Sequence, residues 1–358
     1  MSTDLRRRSI EIITTNQSSS GAYVACPNMD DYAYCWYRDG AFIAYSMDLV
    51  GEHDSARRFY DWGAEVINAR KDVVERAVRK AAAGIPLGPG DYLHTRYTLE
   101  GQEGDDDSWP NFQLDGLGAW LWGLQQHLAL SEQAALPDQW AHAVRLGGDY
   151  LHGLWRLPNY DLWEEFGDQR HPYTLAAIYG GLRAAATLTG RSQYESRATA
   201  IRDYVLAGAV HDGHFVKYLG SDAVDASLLG LAVPYNLVAP DDPRMQRTVQ
   251  RIEAELQPDG GGLHRYARDS YYGGGQWLLL AAWLGWYHTC AGNPTRARPL
   301  LAWNAAQADD QGRLPEQIPQ HLIAPDYYEK WVDWRGPIAT PLLWSHAMYL
   351  VLEGEIGD

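Results

Sequence analysis

The 358-residue chain has no apolar run long enough for a membrane-spanning helix, no cysteine framework and no excess of basic residues. Each shortage removes a class of function. A chain without a stretch of about 20 apolar residues is not a helical membrane protein. With 30 Lys and Arg against 46 Asp and Glu, a formal net charge of −16, it lacks the clustered cations that nucleic acid or an anionic membrane surface requires. Neutral and cationic ligands stay open. Cys26, Cys35 and Cys290 form neither a metal-ligand spacing nor an even disulfide set, so reduced structural thiols are expected. The opening MSTDLRRRSIEIITTNQSSSG has a basic run with no apolar segment behind it, unlike a secretory signal, and a cytoplasmic location is expected. Phenylalanine is scarce too, 5 residues against 15 Trp and 23 Tyr. A dry core would use Phe equally well, so the bias points to surfaces that stack and hydrogen-bond together, as sugars require.

What is abundant is helix. Apolar residues recur at helical spacing over 40–51, 115–130, 173–190, 225–238, 276–292 and 340–354, each segment rich in Ala, Gly and Leu. Such helices are covered on most sides. More charged, amphipathic helices alternate with them, for example over 53–82 and 192–208. This alternation predicts an all-α (α/α)6 barrel, six inner helices inside six outer ones. No Pro/Gly/Ser-rich linker divides the chain, so one catalytic domain over 1–358 is expected; a two-domain helical bundle is the rival architecture.

Polar, aromatic stretches precede five of the inner helices: DDYAYCWYRD, DDDSWPNFQLD, YDLWEEFGDQRHP, HRYARDSYYGGGQW, and LPEQIPQ with its continuation to DWRGP. If the inner helices run parallel, these loops converge at one mouth, the natural place for a binding site. Pro172 suits the first turn of the third inner helix, which leaves Glu164 and Glu165 on the loop before it. Cleaving a glycosidic bond needs two carboxyl groups flanking that bond, one to protonate the leaving oxygen and one to activate water or attack. Adjacent residues cannot flank a sugar, so Glu164 is paired with Glu316 from another mouth loop. The indole of Trp163 and the charges of Asp161 and Glu165 are expected to push the Glu164 carboxyl upward, as a proton donor needs. The competing reading of the doublet is an acidic start to a helix.

In order along the chain, WYRD (36–39), WPNFQLD (109–115), DLWEE (161–165), the RY at 265–266 ahead of YYGGGQW, PEQ (315–317) and LLWSHA (342–347) resemble glycoside hydrolase family 15, the glucoamylases. The resemblance covers essentially the whole chain. It implies an (α/α)6 barrel and an inverting, exo-acting enzyme that removes glucose from a nonreducing end without a cofactor. Glu164 then corresponds to the general acid and Glu316 to the general base. Arg38 and Asp39 match the pair that grips the terminal glucose, Tyr32 an aromatic near the reacting carbon, and Trp109 a tryptophan that closes over substrate. Arg265 and Trp277 match further sugar contacts, and Glu165 would bind hydroxyls near the cleaved bond. Trp36, Asp161 and Trp163 complete the candidate contacts, with Asp161 either a ligand or a neighbour that tunes Glu164.

Two departures touch specificity. Pro110, Asn111 and Phe112 stand where many starch-degrading members have GRP, and Arg268 stands where an acidic residue often follows the Arg-Tyr pair. The sequence also shows neither the N-terminal β-rich domain of many prokaryotic relatives nor a starch-binding module. A short α-glucoside is therefore expected as substrate, with α-1,6-linked isomaltose ahead of maltose-type substrates and trehalose. A noncatalytic sugar-binding protein and a phosphorylase on a similar barrel are the rival functions.

No metal is expected. His211 and His214 lie in a turn without a third ligand, and Asp105, Asp106 and Asp107 lack the Gly and Glu of a calcium loop. Glycines 273–275 have no strand or Lys of a phosphate loop and suit close backbone approach. His346 is expected to pack inside the last helix, and Ser345 has no nucleophile-elbow context.

Overall fold

The computed structural model describes residues 2–104, 109–133 and 135–357; Asp105, Asp106 and Asp107 lie outside them. Among the described residues the chain forms α1 (Ser2–Thr15), α2 (Tyr37–Leu49), α3 (His53–Ala69), α4 (Lys71–Ala82), α5 (Asp115–Leu130), α6 (Asp138–Leu154), α7 (Pro172–Thr189), α8 (Ser192–Gly208), α9 (Pro243–Leu256), α10 (Leu278–Cys290), α11 (Pro294–Ala306), α12 (Tyr328–Arg335) and α13 (Leu343–Ile356). No described helix is long and apolar enough to cross a membrane.

An inner ring closes through α2, α5, α7, a short 3-10 helix at Ala226–Leu231, α10 and α13, each packed on the next and α13 on α2. Outside it lie α1, α3, α6, α8, α9 and α11, completing the (α/α)6 arrangement that the alternation predicts. Sequence explains the layers. In α10 every residue from Leu278 to His288 is buried, because LLLAAWLGWYH has no polar face. In α9 only Met245, Thr248, Val249, Ile252 and Leu256 are buried, a single stripe at helical spacing with charges elsewhere.

Two details differ from the sequence-based expectation. The fourth inner element is a 3-10 helix, not an α-helix: Pro234 lacks an N–H and disfavours helical geometry at the residue before it, and Asn236 turns the chain at φ 52°. The long outer helix over 53–82 breaks at Arg70 into α3 and α4.

Inner helices meet closely where side chains are missing. A Cβ on Gly118 of α5 would lie 2.4 Å from the Ala177 carbonyl oxygen of α7, and one on Gly181 would lie 2.7 Å from the Gly118 oxygen. The polar, aromatic loops all enter inner elements at their N-terminal ends. Two two-residue antiparallel ladders tie these loops together in pairs. Cys35–Trp36 (β1) pairs with Arg96–Tyr97 (β2), and Gln276–Trp277 (β5) pairs with Gln317–Ile318 (β6). A third such ladder, Val210–His211 (β3) with His214–Phe215 (β4), is a hairpin turning at Asp212 and Gly213, so His211 and His214 are the paired strand residues that flank the turn rather than lie in it. Glycines 273–275 behave as expected: a Cβ on Gly275 would sit 2.5 Å from the Ile318 oxygen.

Candidate active site

The mouth loops enclose a cavity of about 380 Å3. Its lining includes both candidate catalytic carboxylates, Glu164 and Glu316, together with Tyr32, Trp36, Arg38, Asp39, Trp109, Trp163, Glu165, Arg265 and Trp277. Asp161 is the one candidate outside the lining.

Glu316 immediately precedes β6 and is 2% exposed. The Tyr32 hydroxyl donates to its Oε1 at 2.9 Å, and Oε2 is buried without a hydrogen-bond partner. Burial pushes its carboxyl up to about 7, against the opposing pull of the Tyr32 bond and Arg265. Tyr32 in turn shares a 2.8 Å hydroxyl contact with Tyr271.

Glu164 lies on a loop, with a left-handed φ of 66°, and α7 begins only at Pro172. The reading of the doublet as a helix start is therefore set aside. Such a backbone costs a non-glycine residue about 1–2 kcal/mol, and Asp161 holds it. Asp161 Oδ1 accepts from the backbone N–H of Trp163 and of Glu165, each at 2.9 Å, while the Glu164 N–H donates to the Asp161 carbonyl. The other Asp161 oxygen faces Lys217 Nζ at 3.3 Å. Lys217 is buried, also bonds Asp225 at 2.5 Å, and lies 3.8 Å from the Tyr266 ring. Expected either as a ligand or as a neighbour that tunes Glu164, Asp161 stands behind the turn that carries Glu164 and clamps it.

The surroundings of Glu164 also differ from the crowding of acids that the sequence suggests. Asp161 is paired with Lys217. Glu165 accepts from Tyr266 Oη at 2.6 Å and faces Arg265 at 3.5 Å; burial still pushes its carboxyl upward, opposed by Arg265. Trp163 turns its N–H to Asp225 and its ring to Trp277. Glu164 itself accepts two bonds on one oxygen, Oε1, from Trp36 Nε1 at 2.8 Å and Gln113 Nε2 at 3.0 Å.

Gln113 was not singled out by the sequence, although it lies within WPNFQLD. Its Oε1 accepts from Arg38 Nη1 at 2.8 Å, and Arg38 also pairs with Asp115 at 3.1 Å. Arg38 Nε and Asp39 Oδ2 are buried without hydrogen-bond partners, 3.6 Å apart. Burial raises the Asp39 carboxyl to about 7, with Arg38 opposing. Arg38 and Asp39 thus present an unfilled donor beside an unfilled acceptor in the first turn of α2, the pattern that sugar hydroxyls satisfy.

Arg265 is buried among Trp163, Trp277 and Tyr271 and is held bidentately by Asp269 at 2.7 and 2.5 Å. Arg268 is exposed, so the carboxylate partner comes one residue after it. Tyr271, Trp331, Trp334, Arg335 and Asp31 also line the cavity and were missed; all lie in the stretches quoted as mouth loops, but no spacing rule brings residues 31 and 335 together. His346 packs inside α13, donating from Nδ1 to Ser9 and accepting at Nε2 from the Leu314 N–H; burial holds its pKa down at about 3. Ser345 donates to the Pro315 carbonyl.

A helical ring whose mouth brings Glu164 and Glu316 into one tryptophan-lined cavity is the architecture of an enzyme of the glycoside hydrolase class. Over residues 4–337 the sequence matches the description "Glycosyl hydrolases family 15", and the chain belongs to that family. It is 44% identical over 99% of its length to an isomaltose glucohydrolase of Kribbella flavida, covering 93% of that protein. Trehalase 2 of Sulfolobus acidocaldarius is more distant, 24% identical over 80% of this chain and 52% of its own. Among solved structures, a wild-type glycosidase superposes with a TM-score of 0.94 at 42% identity, covering 99% of this chain and 96% of that one, and a variant described in the same way is in complex with glucose. A bacterial glucoamylase complexed with acarbose shares the fold, at a TM-score of 0.78 and 20% identity over 97% of this chain and 54% of that one.

Proposed function

We propose that this protein is an inverting, exo-acting hydrolase that releases β-glucose from the nonreducing end of short α-glucosides, with isomaltose as substrate and residues 1–358 acting as one catalytic domain. Glu164 protonates the glycosidic oxygen. Because Oε1 already accepts two N–H bonds, Oε2 is the oxygen that carries the proton. Glu316 Oε2, the partnerless oxygen, takes a proton from water as that water attacks the anomeric carbon from the opposite face. The glycosidic C–O bond breaks, the aglycone leaves as an alcohol, and both carboxyl groups return to their starting states through solvent. Arg38 and Asp39 hold the terminal glucose, with Trp36, Trp109, Trp163, Glu165, Arg265 and Trp277 around it.

The observation that carries this reading is the pairing of Glu164 and Glu316 in one cavity, each with one oxygen engaged by hydrogen bonds. A noncatalytic sugar-binding protein has no need for that pair. The α-1,6 preference rests on the likeness to the Kribbella enzyme, and the preference for a short substrate on a cavity of about 380 Å3, near the lower end of the range for small-molecule sites, about 300–1,000 Å3.

The test is a hydrolysis panel of isomaltose, maltose, kojibiose, nigerose and trehalose, each with and without phosphate. Isomaltose is expected to turn over fastest and independently of phosphate, with β-glucose the first anomer seen by time-resolved NMR. Release of α-glucose first, or a requirement for phosphate, overturns the mechanism; fastest turnover of trehalose or maltose overturns the linkage.

A further inference from the structure

The floor and rim of the cavity are built differently. Arg38, Asp39 and Trp344 are buried, whereas Trp334 is 65% exposed and α12, which carries it, has no buried residue. An α-glucoside held by its terminal glucose therefore has its leaving group toward α12. The rings and cations there form a continuous row. Tyr271 lies 4.8 Å from Trp331, and Trp331 lies 4.9 Å from Trp334. The Arg335 guanidinium is 4.2 Å from the Trp334 ring and 6.0 Å from that of Trp109. Trp109 then packs on Trp36 at 6.0 Å.

One end of the row reaches Glu316 through Tyr271 and Tyr32, and the other reaches Glu164 through Trp36. Midway along it, Arg335 is ion-paired with Asp31, the residue beside Tyr32 and 304 positions away in sequence. The Asp31 carbonyl is held in addition by Arg96 at 2.9 Å, and the Arg96 guanidinium stacks on Trp109 at 3.4 Å.

The geometry points to a chain-length filter: the Asp31–Arg335 pair locks an arch of α12 side chains over the leaving-group end of the cavity, admitting a disaccharide and excluding longer glucosides. This inference rests on the function proposed above. It accounts for α12, a short helix with no buried residue that packs on the Tyr271–Gly273 turn and reaches across the cavity through Arg335. The Asp31–Arg335 pair is part-exposed, so removing it leaves the buried core untouched.

The experiment compares kcat/KM on isomaltose and isomaltotriose for the wild type, Arg335→Ala, Asp31→Ala and Arg335→Lys. The trisaccharide-to-disaccharide ratio should rise by at least about tenfold in both alanine variants, the scale on which pocket sterics discriminate, and stay near the wild-type value in Arg335→Lys, which keeps the charge. The ratio is the readout, so a partial loss of folded protein does not mimic the effect. An unchanged ratio in both alanine variants, with isomaltose still cleaved, overturns the filter. Wild-type protein that cleaves trisaccharide as well as disaccharide also overturns it, whereas wild-type protein inactive on isomaltose overturns the substrate reading instead.

Discussion

The Tyr32 hydroxyl is bonded to one oxygen of Glu316 and leaves the other buried and partnerless. This arrangement both aims the carboxylate and sets when it is ionised. Burial raises the Glu316 carboxyl to about 7, and the Tyr32 bond opposes that rise. A general base works only when ionised, so kcat/KM should climb with pH through about 7. Tyr32→Phe removes the opposing bond and should move this limb to higher pH. A pH–rate profile of the two proteins checks it; a limb that moves down or stays fixed contradicts the role given to Tyr32.

The same burial has a cost in stability. The folded-state value for Glu316 lies above its ordinary 4.5, so its favourable contribution is complete below about pH 4.5 and is lost as pH rises through about 7. The shift corresponds to about 3 kcal/mol. Glu316→Gln removes this titration, so it should stabilise the fold relative to wild type more at pH 8 than at pH 5. Urea unfolding at the two pH values measures the gap, and an equal gap refutes the burial argument.

Glu164→Gln removes the donated proton while leaving an acceptor for the Trp36 and Gln113 N–H groups. Cleavage of isomaltose should fall by about 10²–10⁴-fold, while an activated glucoside such as a glucosyl fluoride, whose leaving group needs no proton, should lose far less. Equal losses on the two substrates argue against proton donation by Glu164.

Asp161 gives a contrast between shape and charge. Asp161→Asn keeps the oxygen that accepts from the Trp163 and Glu165 N–H groups, whereas Asp161→Ala loses it and frees the strained turn. The alanine variant should lose the larger share of kcat, and its amide protons at 163–165 should exchange faster. Comparable losses, with unchanged exchange, would mean that the charge itself acts on the sugar.

Much of this was legible in the chain. Five inner helices announce themselves by apolar period, and the ordered motifs carry Glu164, Glu316, Arg38 and Asp39 directly. The segment over 225–238 reads as an α-helix because DASLLGLAVPYNLV is apolar almost throughout; with no polar face, periodicity cannot separate an α-helix from a tighter coil, and Pro234 is the local signal against it. The outer helix α1 is hard to see in the sequence for the opposite reason. Its buried stripe of Leu5, Ser9, Ile12 and Ile13 includes a serine and runs through three arginines, which hide its amphipathicity. At the site, the sequence brings Asp161, Glu164 and Glu165 together but does not reveal what each is paired with. Lys217 neutralises Asp161 from 56 residues away, and Asp31 meets Arg335 from 304 away; only the closed ring brings such residues together.

Gln113 has a consequence beyond the hydrogen bonds it makes. Its carbonyl oxygen takes the Arg38 guanidinium and its amide nitrogen gives to Glu164, so a flipped amide would set donor against donor on one side and acceptor against acceptor on the other. In the roles proposed above, the part that would grip the glucose and the part that would deliver the proton are mounted on a single planar bracket. A shift of that bracket would carry Arg38 and Glu164 together, so in the proposed roles clamp and donor would keep their alignment.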